Sequence, residues 1–256
     1  MRQISAMIRV TVKELLRKKD FYVILFLMPV FLGFMASQSF FGVEDSYRYV
    51  IDMGYSLAIF FSVVLAVIIS ARQMPSELES KTIYPLLAKP ISRRMVIVSK
   101  FFGGLFASIV SFSAFYAVFI FFYVVSGPVG NYLPLVQSYI LGVLLMALVC
   151  SLSVFLTTFL TLSAGVTLAF IFYATSVNLS SQFRDLYVFS KGAWAVVYGV
   201  LYYIFPHFEF YDVRSRIVHA WEPLTLVLMC SITLYTFLFS AFLVTLSGEI
   251  FRRRGL

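Results

Sequence analysis

The chain has 256 residues, of which 61% are hydrophobic and only 12% charged. A soluble domain carries roughly 25% charged residues, so this chain cannot cover itself in water and lipid must be its solvent. The net charge is +8, yet the cations flank apolar runs instead of forming one patch, which excludes a nucleic-acid partner.

At roughly 20 apolar residues per crossing, the chain has room for about six spans. It opens without the apolar core and small-residue cleavage site of a signal peptide. Residues 1–20 instead predict an interfacial helix. Ile4, Ile8, Val12, Leu15 and Leu16 recur at helical spacing, while Arg9, Lys13 and Arg17 follow at steps of four on the other side. Such a basic amphipathic helix lies in the headgroup plane. Spans one and two fall within residues 21–71, the first with Pro29 inside it. Residues 72–94 form a connection, and spans three to five occupy residues 95–179. The fourth and fifth reverse with almost no loop, a turn that Gly165 suits.

Residues 180–223 are expected to form an outer loop. It contains one apolar run, Ala193 to Phe205, that is too short to cross a core of about 30 Å and reads as a re-entrant or interfacial helix. The sixth span covers residues 224–247, and a short basic tail covers 248–256. The expected fold is therefore a single all-α membrane domain of six transmembrane helices.

Charge orients it. Arg2, Arg9, Lys13, Arg17, Lys18 and Lys19 precede the first span, six more cations lie between Arg72 and Lys100, and Arg252 to Arg254 end the chain. The acids Glu44, Asp45, Asp52, Asp185, Glu209, Asp212 and Glu222 fall in the alternate connections. Basic loops stay inside, so both termini and the connection after span two are expected in the cytoplasm. From Phe101 to Phe183 there is no Lys, Arg, Asp, Glu or His, so the three middle spans are oriented only by parity with their flanks.

The cytoplasmic connection carries the functional argument. Ser76 followed by Glu79 makes a capping box, which predicts a short helix beginning after Pro75. Pro85 and Pro90 keep it short, and Ser92 can cap the third span. Leucines among charges on a surface helix call for a partner, either the chain's own spans or another protein's groove. The run Glu77…Thr82…Leu86-Leu87…Lys89-Pro90-Ile91-Ser92-Arg93…Lys100 resembles the signature of ABC type-2 exporter permeases, the type V fold. Lys81 and Ser99 stand where that family often has Gly. The stretch Pro206 to Ser215 resembles the branch named for multicopper-enzyme maturation.

The resemblance implies an inner-membrane exporter subunit that pairs as a homodimer or heterodimer and sits on two ATP-binding subunits. Glu77, Glu79, Lys81, Thr82, Leu86, Leu87, Lys89, Pro90, Ser92 and Arg93 would then couple to the ATPase, with Lys13 and Arg17 as secondary contacts. Orientation by the positive-inside rule accounts for the basic members equally well. No GxxxxGK[ST] loop is present, so ATP and Mg would be bound by the partner chain and no cofactor by this one. The exported side leaves room for a periplasmic or extracellular partner.

Other classes have less support. The cluster His207, Glu209, Asp212 and His219 matches no metal-site spacing. An intramembrane enzyme would need activating acids or bases that the central spans lack. A non-transporting anchor or scaffold subunit stays open. Dense aromatics on span three (Phe112, Phe115, Tyr116, Phe119, Phe121, Phe122, Tyr123) suit a lipidic cargo, or they face lipid or pack between helices. Cys150 and Cys230 read as small core residues.

Overall fold

The computed structural model describes residues 2–17, 19–37, 46–73, 93–125, 132–190, 193–204 and 206–253, and its regular structure there is helical throughout. In chain order the elements are α1 (Arg2–Arg17), α2 (Lys19–Ser37), α3 (Ser46–Arg72), α4 (Arg93–Val125), α5 (Leu133–Phe159), α6 (Leu162–Phe189) and α7 (Ala193–Ile204). A 3₁₀ turn (Phe208–Tyr211), α8 (Arg214–Val218) and α9 (Leu226–Arg253) complete it.

Four helices are long and apolar enough to cross a membrane: Arg48–Arg72, Arg94–Val125, Leu133–Phe159 and Leu226–Arg253. At ~1.5 Å per residue each exceeds the roughly 30 Å hydrocarbon thickness. Shorter apolar helical runs, Phe21–Phe34 and Leu162–Asn178, lie in α2 and α6. The protein is an integral membrane protein.

At the centre α3, α4 and α5 pack together, with α9 closing over α4 and α5, α6 over α5 and α3, and α2 on the periphery against α3 and α4. The aromatics of α4 fill this centre. Phe112, Phe115, Tyr116, Phe119 and Tyr123 are all buried, and Phe121 alone among the seven points fully outward. Phe119 meets the Tyr55 ring edge-on at 5.6 Å, and Phe112 stacks on Tyr139 at 5.5 Å. Interior packing therefore accounts for five of the seven.

The tight reversal between α5 and α6 is present, with only Leu160 and Thr161 between the helices. A Cβ on Gly165 would lie 2.5 Å from Thr157 Cγ2, so the absent side chain lets the two helices close.

Three features go beyond the expectations. First, α1 packs on α4 and buries Thr11 and Leu15, while Leu16 turns outward. Second, α6 continues ten residues beyond the expected end at Leu179, to Phe189, because no Pro or Gly interrupts the stretch. The short helix expected at Ala193 is present as α7 and folds back on α6, with Gly199 against Tyr187.

Third, residues 206–224 are no free loop but a cap fastened to the bundle. Phe208, Tyr211, Val213, Ile217 and Leu224 are buried. Ser176 Oγ donates to the Pro206 carbonyl at 2.5 Å and accepts the Phe208 N–H at 2.9 Å. The Gln137 amide donates to the Leu224 carbonyl and accepts the Leu224 N–H, both at 2.8 Å. Backbone groups that leave a helix inside a membrane protein must be satisfied by the protein itself, and these side chains do so. One cysteine also moves: Cys150 is buried with its Sγ 3.3 Å from Ser108 Oγ, but Cys230 lies on the exposed side of α9.

Candidate functional site

Glu77, Glu79, Lys81, Thr82, Leu86, Leu87, Lys89, Pro90 and Ser92 lie outside the described residues. Arg93 is the first residue of α4, and its side chain is likewise outside the description. Lys13 and Arg17 are exposed on α1. The structure does define the frame from which the connecting segment hangs: the end of α3 at Arg72 and Gln73, the start of α4, and α1 lying alongside.

Small residues let these elements approach closely. A Cβ on Gly104 would fall 2.6 Å from Ser70 Oγ and 2.7 Å from Gln73 Nε2, and one on Gly103 would fall 3.0 Å from Thr11 Oγ1 and 3.3 Å from Gln73 Oε1. Both amide atoms of Gln73 and the Ser70 hydroxyl are buried, with no hydrogen-bond partner among the described residues. Lys100, one turn before the glycines, is buried too, at 5% exposure. Unpaired polar groups and a buried cation are costly in such a place. A polar seam therefore runs where α1, α3 and α4 meet.

The first turn of α4 is also tied to α9. Arg94 Nη2 donates to Glu249 Oε2 at 2.8 Å, and Glu249 in turn takes Arg252 and Arg253. Arg94 Cγ lies 3.3 Å from where a Cβ on Gly248 would sit. An exposed pair of this kind adds little stability, so its role is to fix geometry. The first part of α4 is thus in contact with α1, α3 and α9.

Residues 6–182 match the model of a family described as ABC-2 family transporter protein. The chain belongs to that family. No curated protein matches it.

The matched region of this ABC-2 family member begins within α1, includes the undescribed segment and the polar seam, and ends within α6. The stretch from Pro206 to Ser215, which carries the resemblance to the multicopper-enzyme branch, lies beyond it. Sequence reading missed Ser70, Gln73 and Glu249. The signal for the first two was the Gly103-Gly104 pair in an otherwise bulky helix, a mark of close backbone approach. Gly104→Val is expected to destabilise the protein by about 1–3 kcal/mol through overpacking against Ser70 and Gln73. A lowered melting midpoint in detergent, recovered in part by adding Ser70→Gly, is the check; an unchanged midpoint in the single variant counts against this contact.

At the opposite end of the bundle His207 and His219 do not converge. His207 packs between Tyr202 (4.4 Å) and Phe210 (5.1 Å), with Nδ1 3.9 Å from Glu209 Oε1, whereas His219 stacks on Trp221 at 5.5 Å. Among the described residues no three His, Cys, Asp or Glu side chains gather as a metal site.

Burial lowers the His207 pKa from its ordinary value. The unfolded imidazole takes up a proton below about pH 6.5 while the folded one resists it. Its contribution to stability is therefore complete above that pH and is lost as pH falls through the folded pKa. Between pH 7 and pH 5 the melting midpoint is expected to fall, and to fall less in His207→Phe. Identical pH slopes in the two proteins would remove His207 from this role.

Proposed function

We propose that this ABC-2 family member is the permease subunit of an ATP-driven exporter. Its ATPase is a separate chain that binds ATP and Mg, and residues 72–94 form the coupling element. The observation that carries the reading is the arrangement of the α4 start. The helix that leaves the coupling segment is bound at once to α1 through Gly103, to α3 through Gly104, Ser70 and Gln73, and to α9 through Arg94 and Glu249. A push on that segment is delivered to most of the bundle. The family match supports an ABC ATPase as the partner.

In this reading α2, α3, α4, α5, α6 and α9 are six crossings, α7 is re-entrant, and both termini face the cytoplasm, in the type V arrangement. The charge distribution supports that orientation. Two permease chains, identical or different, sit on two ATPase subunits in the inner membrane. ATP-driven closure of the ATPase draws the two coupling segments together. The spans then shift between two packings that differ in affinity for the closed ATPase. Glu77, Glu79, Lys81, Thr82, Leu86, Leu87, Lys89, Pro90, Ser92 and Arg93 form the docking surface, with Lys13 and Arg17 beside it.

The test is co-reconstitution of the chain in liposomes with ABC ATPases of its native host. A permease raises the ATPase rate, and vanadate abolishes the increment. An ATPase rate indifferent to the chain, with both proteins in the same liposomes, selects the anchor reading.

A further inference from the structure

On the face opposite the coupling segment, a cavity of about 220 Å³ opens between α3, α6 and the cap. It is separate from the polar seam. Tyr55 on α3 and Gln73 are 18 positions apart, roughly 27 Å along a helix. Its walls include the aromatic rings of Phe60, Tyr173, Phe208 and Tyr211, with Asn178, Asp212 and Arg214 as polar members.

Two polar groups at the cavity are short of partners among the described residues. Tyr55 is 2% exposed, lines the cavity, and has a buried hydroxyl with no hydrogen-bond partner among those residues. Asp212, at an exposed position, lines the same cavity as Tyr55 and Tyr173. Its Oδ1 accepts the backbone N–H of Arg214 at 3.0 Å, and it makes no ion pair among the described residues.

Arg214 also lines the cavity, but its guanidinium is held by a second carboxylate. Arg214 Nε lies 3.3 Å from Asp52 Oδ1, and Nη1 donates to Ser56 Oγ at 3.2 Å. With Asp52 bound to Arg214, the Asp212 carboxylate is the charge at the cavity that has no ion-pair partner among the described residues. Negative charge beside a box of aromatic faces is the chemistry that holds an organic ammonium group, by charge and by cation–π attraction. The unsatisfied Tyr55 oxygen can accept one of its N–H bonds. The volume is below the roughly 300 Å³ at the low end for drug-sized ligands, so the guest is small.

We infer that the cavity between α3, α6 and the cap binds a small ammonium group on a short apolar stem, paired with Asp212, enclosed by Tyr173, Phe208 and Tyr211, and hydrogen-bonded to Tyr55. The group belongs either to a free amine or to the headgroup of an aminolipid. The inference does not depend on how the chain couples to an ATPase.

The experiment is calorimetric titration of the purified chain in nanodiscs with benzylammonium, benzyltrimethylammonium, benzyl alcohol and benzoate. Both cations bind, and the neutral and anionic probes bind at least about tenfold more weakly. Asp212→Asn, at an exposed position, weakens both cations by about tenfold. Tyr55→Phe weakens benzylammonium by about threefold and leaves benzyltrimethylammonium unchanged, since the latter has no N–H to share. Discs of constant phosphatidylglycerol content separate the sources. Benzylammonium binds more weakly when the remaining lipid is phosphatidylethanolamine than when it is a neutral glycolipid if the native guest is a headgroup, and equally if it is a free amine. Benzyl alcohol binding as tightly as benzylammonium, stronger binding of benzoate, or an Asp212→Asn variant with unchanged affinity each overturns the assignment.

Discussion

Replacing Leu86 and Leu87 together with aspartate is expected to abolish docking of the ATPase while leaving the chain inserted in the membrane. Full burial of a leucine side chain contributes about 1.5–3 kcal/mol. Interfaces concentrate their affinity in a few such apolar anchors. Two aspartates remove both contributions and add the cost of desolvating two carboxylates without partners. The loss is therefore put at a factor of at least about 100 in affinity. Insertion depends on the apolar helices, whose hydropathy the substitutions do not touch. The check is the Kd of the purified ATPase for nanodisc-embedded protein, with cysteine labelling from each side to verify topology. A double variant with wild-type affinity would falsify the assignment of these leucines to the docking surface.

The second large effect is expected at Gly142. A Cβ there would lie 2.2, 2.6 and 2.9 Å from three atoms of the Phe112 ring. The ring cannot swing away. Phe112 is fully buried, stacked on Tyr139 at 5.5 Å and packed against Tyr116 at 5.4 Å. Gly142→Ala therefore forces α4 and α5 apart at the centre of the bundle, with a cost toward or above the upper end of the usual 1–3 kcal/mol for overpacking. The variant should lose its monodisperse peak in detergent and melt well below the wild type. Gly142→Ala combined with Phe112→Leu should recover much of the loss, because the smaller side chain vacates the space that the methyl needs. A single variant that melts like the wild type would show that Phe112 does not sit against Gly142.

Why the sequence announced some of this and not the rest follows from the solvent. Charge is expensive in lipid, so its placement is informative. The amphipathic run before Phe21 and the cation-free stretch from Phe101 to Phe183 correctly marked α1, as a helix distinct from the apolar α2, and the continuous apolar block of α4, α5 and α6. Apolar side chains carry no such signal, because lipid tails are as apolar as a protein core. Phe119 and Phe121 read alike, yet one is 1% exposed and the other 63%. Cys150 and Cys230 differ in the same way. Glycines were the exception. Gly165 at the tight turn was legible because the reversal was visible around it, whereas Gly142 was silent because nothing in the sequence said which bulky ring it faced.

The cap was hidden for a different reason. Its fastening uses single polar side chains far apart in sequence, Gln137 to Leu224 and Tyr211 to Thr236, whose pairing no local pattern reveals. The candidate coupling residues rest on the motif, since all but Arg93 lie outside the described residues. The described helices add what the motif could not: the seam of Ser70, Gln73, Gly103 and Gly104 where α3 meets α4.

The central claim is that this chain works with a separate ATPase. The most direct measurement is a gentle-detergent purification of the tagged chain from its native host, with mass spectrometry of what accompanies it. The account predicts a nucleotide-binding ABC ATPase in stoichiometric amount. The chain emerging without one, in a detergent shown to hold a known complex of this class together, would contradict it.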